Sequence, residues 1–481
     1  MDVMMTRPIK LYNTRTRDVE LLKPLEEGKV GIYSCGPTVY NYAHIGNLRA
    51  YVFVDTLKRA LQWCGYQTNH IMNITDVGHL TDDASDGEDK MELAAKKSGR
   101  DIWDLSRYYT SIFFEHTGDL GIQPPNTVCR ATDHITQQIE MVQTIHDNGF
   151  AYQIDDGIYL DTSKLPKYAD FAKLSIDGQQ AGARVDVVQG KKNPTDFAIW
   201  KFAKGAKRLM EWESPWGRGF PGWHLECSAM SCNYLGERFD IHTGGIDHIP
   251  VHHTNEIAQM MAYTKSDEWV NVWMHNNFLV LEQDGEDTKM AKSGANFVTL
   301  DSIRRWGIQP LAYRYLLLNT HYRKETRFSR ANVEDAAKGL AKLWKKVSQL
   351  CEEAGSDKGN LNSPTLEAYR KEVTGGITDD LNTARCLAEV WKIVQDESVS
   401  AADKVAFIAD TDRVLGLRLT QGPIGGGDGA SVDEAKMQKL IQKRNQARTD
   451  KDFSTADTIR DALDAVGVRL KDSPEGTTWE S

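Results

Sequence analysis

The sequence has no apolar run near the roughly 20 residues that a membrane helix needs, so no membrane span is expected. Met1 to Lys10 lacks the apolar stretch of a secretory signal, and the expected location is cytoplasmic. Cysteine is scarce. The seven (Cys35, Cys64, Cys129, Cys227, Cys232, Cys351 and Cys386) are too few for a dense disulfide framework. In a reducing compartment they are expected as thiols, available to a metal or buried as small apolar groups. Basic charge is not in excess: 58 Lys and Arg against 68 Asp and Glu give a net charge of −10. That total speaks only mildly against a nucleic-acid partner, because a local basic face counts for more. No internal repeat is visible. What is present is ordinary for a globular chain, with 40% hydrophobic and 26% charged residues, and 481 residues suffice for about three domains.

Val30 to Ser34 reads as a short strand, followed by the breaker cluster Cys35-Gly36-Pro37-Thr38. Leu48, Val52, Val54, Leu57 and Leu61 then recur at helical spacing, and Thr68 to Thr75 reads as a second strand. Strand, loop, helix, strand is the opening of a parallel α/β fold. Gly78 to Asp89 is acidic and reads as an exposed loop. Asp133 to Asn148 reads as a helix, and Phe150 to Asp161, with Asp155-Asp156-Gly157 inside it, as a hairpin. The stretch from there to Gly222 is irregular and is expected as an insertion. From about Asn332 to Leu419 the pattern is all-helical, Gln421 to Ser431 is a Gly-rich linker, and a small module closes the chain.

Pro37 to Asn47, PTVYNYAHIGN, lies between the first strand and its helix, where backbone N–H groups and the helix dipole favour phosphate. Gly46 allows close approach to the backbone, and His44 can donate to a phosphate oxygen; an ordinary helix cap would use the same residues. Farther on, Lys289-Met290-Ala291-Lys292-Ser293 follows the Gly- and Asp-rich loop Gln283 to Thr288. Two lysines three apart on a mobile loop can close on a triphosphate, although a lysine pair alone more often marks a solvated face.

HIGN followed about 240 residues later by KMAKS resembles the HIGH and KMSKS signatures of class I aminoacyl-tRNA synthetases. The flanking CGPTVYNYAHIGN, PGWHLECSAM, HTGGIDH and HHTNEIAQ, with KDFSTADTIRDAL and GTTWES near the end, resemble cysteinyl-tRNA synthetases over nearly the whole chain. The resemblance implies ATP-dependent activation of L-cysteine, transfer to tRNA(Cys), and a monomer. It implies a Rossmann-type parallel-sheet catalytic domain at 1–280 with a connective insertion at about 115–222, and a KMAKS and stem-contact region at 281–331. A helical anticodon-binding bundle at 332–420, a linker at 421–431 and a small tRNA-binding module at 432–481 complete the expectation.

Cys35, Cys227, His252 and Glu256 are zinc-ligand residue types, and His252 and Glu256, four apart on an expected helix, share a face. Separations as long as that between Cys35 and Cys227 say nothing by themselves; the resemblance assigns all four to one Zn²⁺. His253 is the neighbouring rival, expected to point about 100° away. The resemblance further implies His44, Asn47, Lys289 and Lys292 as catalytic groups on the phosphates, with Mg²⁺ carried by ATP. It places Gly36, Thr38, Gly46, Gly244 and Gly245 against the nucleotide, and Cys35, Gly36, Thr75, Trp223, His242 and Asp247 around the cysteine.

Arg304, Arg305, Arg314, His321, Arg323, Lys324 and Arg327 make Asp301 to Arg330 basic, which suits either an RNA backbone or a solvated helix face. The last module carries Lys436, Lys439, Lys443, Arg444, Arg448 and Lys451, with Phe453 and Trp479 available for stacking. Asn47, Ala291, the loop Glu282 to Thr288, Asp76 to His79 and Ile249-Pro250-Val251 depart from the commoner family forms. A ligase joining cysteine to an amino sugar, a non-catalytic RNA-binding paralogue and a zinc-stabilised structural protein are the alternatives; the first would not need residues 332–481.

Overall fold

Five parallel strands form the central sheet: β1 (Lys29–Ser34), β2 (Gln67–Ile74), β3 (Thr127–Arg130), β4 (Phe239–Gly245) and β5 (Val270–Asn276), in the order β5-β4-β1-β2-β3. This computed structural model describes residues 6–78, 90–173, 189–203, 209–283, 286–289, 297–423, 434–449, 459–460, 469–473 and 476–480. The acidic loop expected at Gly78 to Asp89 lies outside them from His79 on. Parallel strands covered on both faces read as buried runs, and β2 is buried from His70 to Ile74. The polar groups inside are paired, as Ser34 Oγ is with His70 Nε2 at 2.7 Å.

Helix α1 (Ile45–Trp63) connects β1 to β2 and buries Leu48, Val52, Val54, Leu57 and Leu61, the residues that its sequence spacing marks. Strand order 3-2-1-4-5 is that of a doubly wound mononucleotide-binding sheet. The expected fold class, a Rossmann-type parallel sheet followed by helices, is therefore present.

The stretch to Gly222 is more regular than its sequence suggests. The expected hairpin forms from Ala151–Ile154 and Gly157–Leu160, and Phe197–Phe202 and Gly219–Pro221 extend it to four antiparallel strands. Gly157, Gly219 and Gly222 are signals of close packing here: a Cβ on each would lie 2.0 to 2.3 Å from a backbone oxygen of the neighbouring strand.

The helical region begins at Arg330, where Ser329 Oγ caps the first turn of Arg330–Ala354. That helix buries Val333, Ala336, Leu340, Leu343, Trp344, Val347 and Leu350, one stripe facing Glu367–Thr378, Thr383–Ile393 and Ala401–Leu415 in a shared core.

In the basic stretch before it Arg314 is internal, whereas Arg305, Arg323, Lys324 and Arg327 are exposed. Arg314 is fully buried, ion-paired with Asp55 at 2.6 Å, and donates to the carbonyls of Leu415 and Leu120. His321 and Arg323 meet Asp380, and Arg304 meets Glu115, Asp119 and Asp301. A buried guanidinium costs several kcal/mol of desolvation and is held by such partners.

The chain divides into two units, Met1–Gly422 and Pro423–Ser481. The second contains the helix Glu434–Thr449 and an antiparallel hairpin of Arg469–Ser473 and Gly476–Glu480. Asn445 joins the helix to Thr477 of the hairpin, and Arg444, one of the residues expected to face RNA, is 5% exposed. Phe453 lies outside the described residues. No described helix is long and apolar enough to cross a membrane.

Candidate active site and metal cluster

β1 and β4 are neighbours, and the strand order runs outward from them in both directions. The crevice at their carboxyl ends is where open α/β sheets take ligands. Cys35 follows β1 there, and Gly244 and Gly245 end β4. A cleft of about 490 Å³ opens at this point, lined by Cys35 to His44, Gly46, Asn47, Trp223, Gly244, Gly245, Asp247, His248 and His252, with Tyr109 and Phe113 at its side.

At one end the cleft meets the N-terminus of α1. His44 is extended (φ −80°, ψ 164°) and caps the helix: its Nδ1 accepts from Asn47 N at 3.2 Å, and Asn47 Oδ1 accepts from His44 N at 3.3 Å. This reciprocal cap fixes both side chains. With Nδ1 accepting, the proton of the neutral ring sits on Nε2. Gly46 is required by the cap, since a Cβ would stand 2.9 Å from the His44 ring.

The same turn meets the segment after the KMAKS stretch. Ile45 N donates to Val298 O at 3.0 Å, His44 bridges Thr299, and the His44 ring packs edge-on to Phe297. The loop expected before KMAKS is instead a hairpin of Leu279–Gln283 with Glu286–Lys289, in which Lys289 pairs with Val280. Ala291 and Lys292 lie outside the described residues.

At the other end a group of side chains converges from three stretches of chain. Cys227 lies in the first turn of α2 (Leu225–Leu235), after His224 in the left-handed region (φ 80°), a strained conformation for a non-glycine residue. His252 lies in a wide helical turn, Ile249–His253, and Glu256 lies in the first turn of α3 (Thr254–Thr264). Donor atoms of Cys35, Cys227, His252 and Glu256 all lie within 4.8 Å of one another. His252 Nε2 is 2.7 Å from Glu256 Oε1, so the shared helix face expected for them is present. Ile249-Pro250-Val251, the departure just upstream, forms the wide turn and does not displace His252.

His253 does not point away. Its Nε2 is 3.5 Å from Cys35 Sγ, the same distance as that of His252, and two further donor sets, Cys35-His248-His252-His253 and Cys35-His242-His253-Glu256, also lie within 4.8 Å. A wide turn changes the angular step per residue and brings both rings to one thiol.

The Cys227 thiol is held well above its usual range by its hydrogen bond with Cys35 and by burial. For Cys35 the bond with Cys227 pulls down, but burial and the charges of Glu256, Glu226 and Asp247 push the thiol up. Burial would raise Glu256, yet His242 and His252 hold it well below the carboxylate range. Burial would lower His252, yet Glu256 and Cys227 hold it well above the imidazole range. Two thiols, an imidazole and a carboxylate gathered in this way form a candidate metal-binding cluster.

The remaining expected residues divide. Gly36, Thr38, Trp223 and Asp247 line the cleft. Thr75 is buried, paired through its backbone with Pro37 and Val39 and through Oγ1 with Asn73. His242 is fully buried behind the cluster, 2.7 Å from Glu256 Oε2, and does not reach the cleft. Gly244 answers to histidines: a Cβ there would meet His248 Nδ1 at 2.6 Å and His253 Cε1 at 2.7 Å.

Residue-by-residue reading missed His224, His248 and His275. His224 Nδ1 contacts His252 Nδ1 at 2.6 Å, and His275 Nε2 contacts His253 Nδ1 at 2.8 Å while its own Nδ1 meets Thr14 Oγ1 at 2.7 Å. A signal was available: six of the 13 histidines fall between 224 and 275.

Similarity to known proteins decides the family. The description "tRNA synthetases class I (C) catalytic domain" matches residues 21–338, and "Cysteinyl-tRNA ligase anticodon binding domain" matches 434–479. The chain belongs to the cysteine–tRNA ligase family. A cysteine–tRNA ligase of Treponema denticola is 41% identical over 98% of this chain and 99% of its own length. Cysteine–tRNA ligase 1 of Burkholderia lata is 45% identical over 98% and 96%. Mycobacterium tuberculosis methionyl-tRNA synthetase in complex with methionyl-adenylate superposes with a TM-score of 0.55 at 15% identity, over 86% of this chain and 94% of that one, which shows the shared fold. Membership of the cysteine–tRNA ligases makes this chain an aminoacyl-tRNA synthetase.

Proposed function

We propose that the chain activates L-cysteine with ATP and transfers it to the 3′ end of tRNA(Cys), and that zinc held by Cys35, Cys227, His252 and Glu256 selects the amino acid by its sulfur. The observation that carries this reading is the convergence of these four donors within 4.8 Å at the edge of the same cleft that receives the N-terminus of α1. Two sulfurs, one imidazole and one carboxylate are donors that suit zinc. Bound there, zinc would supply a preference for a thiolate over a serine hydroxyl, and so a discrimination that shape alone gives poorly.

The residues of the chain then divide the work. Gly36, Thr38, Gly46, Gly244 and Gly245 leave room for the nucleotide. His44 offers Nε2–H to a phosphate, and Asn47 holds His44 in place through the cap. Lys289 and Lys292 neutralise charge on the phosphates, with Mg²⁺ bound by ATP. Asp247 holds the α-ammonium group and Trp223 walls the pocket. Thr75 shapes the pocket from beneath through Pro37 and Val39, and His242 orients Glu256.

A cysteine carboxylate oxygen attacks the α-phosphorus and pyrophosphate leaves; a ribose hydroxyl of the tRNA then attacks the activated carbonyl and AMP leaves. Positioning and charge stabilisation account for this chemistry without a side-chain general base. Residues 332–420 would pack on the anticodon side, 432–481 would contact the tRNA, and the enzyme would act as a cytoplasmic monomer.

Metal analysis and cysteine-dependent ATP–pyrophosphate exchange on Cys227→Ser test the reading. Less zinc per chain and a raised Michaelis constant for cysteine are expected. Unchanged zinc with unchanged cysteine use would overturn it.

A further inference from the structure

The four proposed zinc donors are not the whole cluster. Donors on one metal, each about 2.0–2.3 Å from it, stand no more than about 4.6 Å apart. Cys35, His248, His252 and His253, like the four proposed zinc residues, have donor atoms that all lie within 4.8 Å of one another. The two sets share Cys35 and His252. They differ in what completes them: Cys227 and Glu256 in one, and in the other His248, which lines the cleft, with His253, 0% exposed, behind it.

The second set has one feature of an open station. Cys227 and Glu256 are 2% and 0% exposed and do not line the cleft, whereas His248 does, together with Cys35 and His252, which both sets share. The donor nitrogens are available in the right sense. His252 contacts His224 through Nδ1 and His253 contacts His275 through Nδ1, which turns both Nε2 atoms toward Cys35 Sγ at 3.5 Å. His248 is packed between the two, ring centroids 5.0 Å from His252 and 5.1 Å from His253.

His248 Nδ1 is shielded from solvent and takes no hydrogen bond among the described residues. A shielded polar nitrogen without a partner is costly and calls for a function. His242 gives its Nε2 to Glu256 and its Nδ1 is likewise shielded without a partner among the described residues, but it does not line the cleft as His248 does. Gly244 maintains the space, since any side chain there would collide with both His248 and His253.

We propose that Cys35, His248, His252 and His253 form an outer metal station on the cleft side, where an incoming zinc ion is held before it moves to the buried set that keeps Cys35 and His252 and adds Cys227 and Glu256. The proposal rests on the zinc reading for the buried set. It assigns His248 to loading, apart from the final coordination.

Cobalt uptake by the metal-free full-length chain tests it, followed by stopped-flow absorbance, because thiolate-to-cobalt charge transfer counts the bound sulfurs. The wild type should show a fast phase with one thiolate and a slower rise to two. His248→Leu should lose the fast phase and load more slowly, on the order of ten-fold, while reaching the same final spectrum and the same zinc affinity in chelator competition. His248→Gln, which keeps size and polarity, guards against misfolding and should load as slowly as His248→Leu. Two-thiolate absorbance from the first phase, or wild-type loading rates in both variants, would overturn the outer station and leave the buried set standing. A wild-type endpoint without two thiolates would overturn the zinc reading, and this proposal with it.

Discussion

The two ends of the cleft are built in opposite ways. The nucleotide end is local: His44, Gly46 and Asn47 lie within four residues and are fixed by one helix cap. The metal end is assembled over long range. Cys35, Cys227 and the pair His252 and Glu256 come from three distant stretches of chain, and the rings of His224, His242, His253 and His275 pack around them. A cap tolerates loss of one hydrogen bond, whereas a buried cluster of titratable groups is satisfied as a unit or destabilised as one. The comparison teaches that damage at the nucleotide end should appear in rate, and damage at the metal end in metal content and stability.

The largest effect is expected from Lys292→Ala. Removing one charged donor from a developing phosphate charge costs on the order of 10²–10³ in rate, so single-turnover adenylate formation should fall by that amount while cysteine affinity barely changes. An unchanged activation rate would remove Lys292 from the phosphates. Gly244→Ala comes next. Its Cβ would press on His248 and His253, and overpacking of this kind costs about 1–3 kcal/mol. Lower zinc retention and a lower melting temperature are expected together; wild-type values of both would show that the histidines yield freely. The smallest is Asn47→Ala, which removes half of the reciprocal cap at about 1 kcal/mol. Thermal unfolding should register that loss with zinc content unchanged, and a drop in zinc would mean that the two ends are not separable.

The same contrast governs what could be read from the sequence. The parallel α/β opening was legible because β1, α1 and β2 follow each other with their own periodicities, and Leu48 through Leu61 mark the buried face directly. HIGN was legible because the cap and the cradle are contiguous. Nothing in spacing joins Cys35 to Cys227, which meet only after the sheet has formed, so the resemblance had to supply that pairing. His253 was misread because a regular helical step was assumed where Ile249–His253 makes a wide turn. The basic stretch from Asp301 was ambiguous for a related reason. Charge is visible in a sequence, but Asp55 and Asp380, which neutralise Arg314 and Arg323, lie 259 and 57 residues away along the chain. The insertion to Gly222 looked irregular because its strands are short and closely packed at glycines rather than alternating.

The central claim is that the substrate sulfur is selected by the metal that Cys35, Cys227, His252 and Glu256 hold. Zinc-edge X-ray absorption on the full-length chain tests it most directly, comparing the protein alone, with cysteine and with serine. The account predicts two sulfurs in the zinc shell of the free protein, a third on adding cysteine, and no change with serine. A sulfur count that stays at two with saturating cysteine would contradict it.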